Sequence, residues 1–227
     1  MNYAIDKKAY QKVVFNGYAK DMTSVIGEAV RYYSPNTPYP YDLAKAMKLM
    51  TEAGYPNGLN LEIWGLHNTE EVNTLQFLQQ QLSLVGVKAT VKPLEDGVMD
   101  GMKWGVKADD SKMKMLISGW SPSTNDADWG IRPIAGGMSW ASNGVCCNYS
   151  FLEDPKVDKL IAAGTETADP KERAAIYKEM QDVLWQDAVP FIFLAQKYNI
   201  WAHRDNLKEA YRIDDGTWTV ERAYFGD

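Results

Sequence analysis

One stretch of the chain, GWSPSTNDADWGIRP at residues 119–133, concentrates residue types that bind charged ligands. The carboxylates of Asp126 and Asp128 suit an ammonium group, and the planar guanidinium of Arg132 suits a carboxylate. Trp120 and Trp129 would add flat apolar walls. This combination predicts a site for a zwitterion, such as an amino acid or a short peptide. The residues leave one alternative equally open, in which Asp128 pairs with Arg132 and the tryptophans belong to the core.

Sequence motifs for catalysis or for metal binding do not occur elsewhere in the chain. His67 and His203 are its two histidines, and neither belongs to an HExxH or HxH pattern. There is no GxSxG nucleophile elbow, no P-loop and no GxGxxG turn. We therefore expect a protein that is not an enzyme and that has no cofactor and no metal. A hydrolase is an alternative, and it requires a nucleophile within hydrogen-bond reach of one histidine.

The two cysteines of the chain, Cys146 and Cys147, are neighbours. Adjacent cysteines rarely pair, because the ring that such a disulfide closes is strained. Two cysteines without CxxC spacing also do not predict a structural zinc site. We expect two unpaired thiols in a loop.

Charge and hydropathy exclude two classes of partner. The chain of 227 residues carries a net charge of −6, and its lysines and arginines form no basic run. Nucleic acid is therefore not an expected partner. No apolar run approaches the length of about 18 residues that predicts a transmembrane helix. The opening segment, MNYAIDKKAY, predicts an amphipathic helix and lacks the basic and apolar regions of a secretion signal.

Helical and strand patterns alternate between residues 40 and 120. Asp42 stands at the N-cap position of one helix, and Asn68 with Glu71 forms a capping-box pattern before another. LNLEIWGL, VKATVKPL and KMKMLISGW predict strands, and DGVMDGMKWG predicts a short helix. This order predicts an α/β fold with a largely parallel sheet. Ligands bind such sheets beyond the carboxyl ends of the strands, where residues 119–133 leave the third strand.

The second half of the chain predicts two more helices, which begin at Asp154–Pro155 and at Asp169–Pro170. VPFIFLAQKYNIWAH predicts buried extended chain with a bend near Gln196–Tyr198, and TWTVERAYF predicts a final strand. Residues 133–150 predict a loop of unusual length, which favours a functional role over a simple connection.

Several segments together resemble the second large lobe of bacterial family 5 solute-binding proteins, from residue 1 to about residue 220. The segments are NYAIDKKAYQKVVFNGYA, YPYDLAKAMKLMTEAGYPNGLNLEIW, FLQQQLSLVGVKATVKPLE, LISGWSPSTNDADW, DPKVDKLI and ERAAIYKEMQDVLWQDAVPFIFL. Within the family, the chain is most similar to the glutathione-binding branch. Its longer STNDADW loop replaces the DYPDP-like core that is frequent in the family, so the resemblance carries over the position of the loop alone.

The resemblance implies a periplasmic-binding-protein-like (type II) lobe with a mixed, mostly parallel sheet flanked by helices. Residues 1–227 would form a single C-terminal ligand-binding lobe, excised from a two-lobed protein whose N-terminal lobe is missing. The whole protein would capture glutathione or a related small peptide by lobe closure and deliver it to the permease subunits of an ABC transporter. Its location would be the periplasm, or the cell surface as a lipoprotein.

The resemblance also implies roles for the residues of the cleft loop. Asp128 would be the first candidate to hold the ammonium group of the ligand, and Asp126 the second. Arg132 would hold a carboxylate. The remaining members of the expected site are Trp120, Trp129 and Thr124. Alternatives are a dipeptide, oligopeptide or nickel-chelate carrier of the same family, and a sensor lobe that feeds a membrane receptor.

Overall fold

A three-stranded parallel sheet results from the alternation of strands and helices in the first half of the chain. The structure is a computed structural model and describes residues 1–137, 147–213 and 216–226. The helices are α1 (Lys7–Phe15), α2 (Leu43–Glu52), α3 (Thr69–Ser83), α4 (Asp96–Lys103), α5 (Ala127–Ala135), α6 (Pro155–Glu166) and α7 (Pro170–Gln186). The strands are β1 (Ala19–Lys20), β2 (Leu59–Leu66), β3 (Val87–Leu94), β4 (Met115–Leu116), β5 (Gln196–Lys197), β6 (Leu207–Lys208), β7 (Tyr211–Arg212), β8 (Trp218–Thr219) and β9 (Tyr224–Phe225).

The sheet has the order β3-β2-β4, and both neighbours of β2 run parallel to it. Strand β3 pairs along its whole length, from Leu59 opposite Val87 onward. The predicted third strand is shorter than expected, because it contacts only the last half of β2 before the chain turns outward. One further hydrogen bond extends it, from the Ile117 N–H to the Trp64 carbonyl at 2.8 Å. The predicted α/β class and the mostly parallel sheet are confirmed.

Local capping signals place the helices where the sequence predicts them. The Asp42 carboxylate accepts from the Lys45 N–H at 2.8 Å, and the Asn68 side chain accepts from the Glu71 N–H at 3.0 Å. The capping box is incomplete, because the Glu71 carboxylate accepts from the Leu66 N–H rather than from the N-cap residue. Helices α6 and α7 begin at a proline, and the preceding aspartate caps each of them.

Among the residues that the structure describes, two clusters of buried apolar side chains form the core. One joins the parallel sheet to α2 and α3 and includes Ile63, Leu75, Leu82 and Val87. The other joins α5, α6 and α7 and includes Ile131, Val157, Met180, Leu184 and Phe193. The second cluster anchors the helix that carries the predicted ligand-binding residues.

Short antiparallel ladders replace two extended segments that the sequence predicts near the end of the chain. In VPFIFLAQKYNIWAH, Phe193 is buried, but the chain beyond it pairs through β5 with β1 and then exposes Ile200 and Trp201. TWTVERAYF is not one strand. A turn separates β8 from β9, and these strands pair with β7 and β6, respectively. Within the ranges described, no helix combines the length and the apolarity needed to cross a membrane.

The expectation of two free thiols is wrong for Cys147, which is disulfide-bonded. Cys146 and half of the predicted loop at 133–150, residues 138–146, lie outside the described residues. Residues 133–135 belong to α5 and not to that loop.

Candidate ligand-binding site

The stretch after the third strand ends in a helix instead of a continuous loop. Asp126 is the N-cap of α5, and its Oδ1 accepts from the Asp128 N–H at 2.9 Å. Asp128, Trp129 and Arg132 are therefore helical residues. The sequence did not reveal this helix because it is short and carries Pro133 close to its end.

Asp126 is also half of an ion pair between α5 and α7. Arg173 donates from Nη1 to Oδ2 at 2.8 Å and from Nη2 to Oδ1 at 3.0 Å. About a fifth of each side chain is exposed. Burial by itself raises the pKa of Asp126, but the hydrogen bonds from Arg173 and from the Asp128 N–H outweigh it and leave that pKa below its ordinary value. Asp126 therefore has a structural task, which makes it a weaker candidate for the ligand than Asp128.

Asp128 and Arg132 pair with each other one helical turn apart. The Arg132 Nη2 lies 2.8 Å from Oδ2, and its Nε lies 3.1 Å and 3.2 Å from the two carboxylate oxygens. The hydrogen bonds to Asp128 raise the pKa of Arg132. The Asp128 side chain is 15% exposed and that of Arg132 40% exposed. The predicted pairing of Asp128 with Arg132 is confirmed, and the Arg132 end of the pair is open to solvent.

Trp120 and Trp129 form an exposed aromatic pair, and their assignment to the core is wrong. Each is 36% exposed, and their ring centroids lie 6.1 Å apart. The Trp120 Nε1 donates to the Trp129 carbonyl at 2.8 Å. In a regular helix this carbonyl would accept from the N–H of residue 133, which Pro133 lacks. The guanidinium of Arg132 lies 5.7 Å from the Trp129 ring, and Thr124 is exposed in the connection before α5.

Residues far away in the sequence support this helix, and no sequence pattern predicted their contribution. Arg173 packs against the rings of Tyr32 and Tyr177, which stack with centroids 5.7 Å apart. Burial raises the pKa of Tyr177 to about 12. The buried Gln181 donates to the Tyr32 carbonyl and accepts from the Ser24 hydroxyl. No local signal marks the contacts of Tyr32 and Ser24 with α7, since these partners lie more than a hundred residues apart.

The geometry required by the hydrolase alternative does not occur in the part of the chain that the structure describes. Both imidazoles are exposed. The His67 Nδ1 lies 2.9 Å from the Glu95 carboxylate, and the His203 Nδ1 lies 2.8 Å from the Arg204 carbonyl. Neither ring has a serine, threonine or cysteine within hydrogen-bond reach in the described ranges.

A small cavity of about 170 Å³ lies away from the aromatic pair. It is lined by residues near the start of α1 and in the segment before α2, namely Asp6, Lys7, Lys8, Asp21, Pro38, Tyr39, Pro40 and Tyr41. The surface formed by Trp120, Asp128, Trp129 and Arg132 is instead an open face. We call these four residues the α5 face.

The fold places the chain in the class of periplasmic binding proteins. Of solved structures, it is similar to the periplasmic binding protein DppA from Helicobacter pylori in complex with the peptide STSA, with a TM-score of 0.79 and 27% identity over 91% of this chain and 39% of that one. It is also similar to NikZ from Campylobacter jejuni in complex with Ni(L-His), with a TM-score of 0.76 and 27% identity over 86% of this chain and 40% of that one.

Residues 1–142 match the family described as bacterial extracellular solute-binding proteins, family 5 Middle, and the chain belongs to this family. It is 37% identical over 224 residues to the glutathione-binding protein GsiB of Shigella dysenteriae serotype 1 (strain Sd197). This alignment covers 98% of the chain and 43% of the relative, so the chain spans less than half the length of that protein. The predicted family is confirmed, and the match to GsiB confirms the predicted similarity to the glutathione-binding branch.

Proposed function

We propose that the chain acts as one ligand-binding lobe of the substrate-binding component of an ABC importer, and that the ligand is glutathione or a related small peptide. The observation that carries this proposal is the 37% identity with the glutathione-binding protein GsiB over nearly the whole chain. The similar DppA structure contains a peptide, which agrees with a ligand of this chemical class. Residues 1–227 would correspond to one lobe of a two-lobed polypeptide.

The α5 face has the chemistry that a zwitterionic peptide requires. Asp128 presents a carboxylate that its neighbour Arg132 already neutralises, at 2.8 Å between the charged groups. An arriving ligand with both an ammonium group and a carboxylate can replace each partner of this pair, so that neither charge is left alone. Trp120 and Trp129 are exposed on the same face and offer an apolar surface to the ligand.

Capture in this proposal depends on closure of two lobes. The α5 face is open, so ligand bound to it remains in water, where charged contacts are weak. A second lobe that covers the face would exclude this water and supply the remaining contacts. The closed form would then deliver the ligand to the membrane permease subunits, and the protein would work in the periplasm or at the cell surface.

Titration of glutathione tests the proposal. We expect the complete two-lobed polypeptide to bind it with a dissociation constant of about 1 μM and the 227-residue chain to bind at about 1 mM or more weakly, a difference of about 4 kcal/mol. Calorimetry measures the dissociation constant of the complete polypeptide, and shifts of the tryptophan indole signals in NMR spectra measure that of the 227-residue chain. Asp128→Asn should weaken both, whereas Asp205→Asn, at an exposed aspartate in the loop before β6, is the matched control.

Two results would contradict the proposal. Micromolar binding to the 227-residue chain would rule out the need for a second lobe. Absence of glutathione binding to the complete polypeptide, together with binding of other dipeptides or of Ni(L-His), would assign it to the alternative carriers of the same family. The similarity to NikZ, whose structure contains Ni(L-His), supports the nickel-chelate alternative.

A further inference from the structure

Arg31 lies beside the beginning of the α5 helix. It forms an isolated parallel β-bridge with Asp126, and its N–H donates to the Asn125 carbonyl at 3.0 Å. The sequence separates Arg31 from this helix by almost a hundred residues, so no local pattern connects the two. The bridge brings a cation to the edge at which the predicted ligand-binding residues begin.

The backbone on both sides of Arg31 is held in place. The Val30 N–H donates to the Gly27 carbonyl at 3.0 Å, which closes a turn before it. Tyr32, which follows it, has a φ of 67°, and its carbonyl accepts from Gln181 Nε2 at 2.8 Å. A residue with fixed neighbours presents its side chain in a limited range of positions, which reduces the entropy lost when a ligand binds.

The Arg31 guanidinium has different contacts from those of the two neighbouring arginines, Arg132 and Arg173. Arg132 and Arg173 each hold a carboxylate through two or more hydrogen bonds. Arg31 is exposed, and its guanidinium lies over the Tyr32 ring at 4.7 Å from the centroid. Within the described ranges it makes no ion pair at contact distance; its charge acts on Asp126, which Arg173 already pairs, and helps to lower the pKa of that carboxylate. Stacking on the ring leaves the edge of the planar guanidinium, which carries its N–H donors, available to a ligand.

We propose that Arg31 binds a carboxylate of the ligand and thereby selects peptides that carry more than one carboxylate. This inference rests on the proposed function. Glutathione has one ammonium group and two carboxylates, whereas the α5 face offers one acidic and one basic side chain that already neutralise each other. A third charge, positive and without an ion-pair partner among the described residues, matches the second carboxylate of such a ligand. Arg132 can exchange Asp128 for one of the two carboxylates of the ligand, and Arg31 is the candidate for the other.

The test compares glutathione with its two monoethyl esters, each of which lacks the charge of one carboxylate. The complete two-lobed polypeptide is titrated by calorimetry as the unmutated protein and as the variants Arg31→Gln and Arg31→Lys. We expect Arg31→Gln to weaken glutathione binding about tenfold and Arg31→Lys to weaken it less, since lysine keeps the charge but not the fork. For one of the two esters, Arg31→Gln should have no effect, which identifies the carboxylate that Arg31 contacts.

The control variant is Arg222→Gln, which removes an exposed arginine near the end of the chain. This variant should leave the affinities for glutathione and for its two monoethyl esters unchanged. A loss of less than twofold for glutathione in Arg31→Gln would overturn the inference, and so would an equal loss for glutathione and for both esters. If the unmutated protein does not bind glutathione at all, the proposed function itself is wrong. Thermal unfolding of each variant checks that the fold is retained.

Discussion

Replacing Asp126 by alanine removes two contacts at once, and the structure allows the cost to be divided between them. The side chain caps α5 through the Asp128 N–H and forms a two-point ion pair with Arg173. Loss of an N-cap costs about 1 kcal/mol. Breaking a fully buried pair costs about 3–5 kcal/mol, and an exposed pair contributes at most about 1 kcal/mol. With about a fifth of each side chain exposed, we expect about 1–3 kcal/mol from the pair.

The expected total for Asp126→Ala is therefore a loss of about 2–4 kcal/mol in the free energy of unfolding. Asp126→Asn is the informative companion, because asparagine caps a helix as well as aspartate does but carries no charge. The difference between the two variants isolates the cap, at about 1 kcal/mol. Urea denaturation followed by far-UV circular dichroism measures each value.

A double-mutant cycle tests whether the ion pair is the cause. In an Arg173→Met background, Asp126→Asn should cost at least about 1 kcal/mol less than it does in the unmutated chain. Equal costs in the two backgrounds would refute the coupling between α5 and α7. A total loss below about 0.5 kcal/mol for Asp126→Ala would place this change among ordinary surface substitutions and refute the reasoning as a whole.

Three further changes probe other parts of the fold. Burial lowers the pKa of Lys7 to about 8 in the folded chain. Above that pH the unfolded chain therefore binds more protons than the folded chain, and the free energy of unfolding rises between about pH 8 and pH 10. Chemical denaturation should show that Lys7→Met lacks this rise. Gly58→Ala would place a Cβ 1.9 Å from the Gly86 carbonyl oxygen at a φ of +78° and should cost at least about 2 kcal/mol by urea denaturation. Its control, Gly101→Ala in α4, meets no atom within 4 Å and should stabilise by about 0.5–1 kcal/mol. Gln181→Leu leaves several buried polar partners unsatisfied and should lower the thermal midpoint, at a cost of at least about 2 kcal/mol.

The parts of the fold that the sequence predicts well depend on neighbouring residues. The caps at Asp42, Asn68, Asp154 and Asp169 act within three residues, and alternation along β2 and β3 shows directly in the sequence. Strand lengths near the end of the chain were not predictable in this way. They depend on which partner is available for pairing, and β8 and β9 pair with different strands on either side of a turn.

The candidate site shows the same limit. Spacing by one helical turn makes the pairing of Asp128 with Arg132 visible in the sequence, but only as one of two open alternatives. The role of Asp126 depends on Arg173, which lies 47 residues further along the chain. Composition and local pattern carry no record of such a contact, so the sequence alone does not show that Asp126 is paired with Arg173.

Pro133 has a consequence for any attempt to improve this protein by making its helices more regular. Because it lacks an N–H, the Trp129 carbonyl is left to the indole of Trp120, at 2.8 Å. Pro133→Ala would supply the missing donor, and the backbone would then compete with the indole for the same oxygen. The helix would gain stability while Trp120 lost the contact that orients it. A variant selected for heat resistance alone would thus weaken the hydrogen bond that helps to orient this aromatic wall.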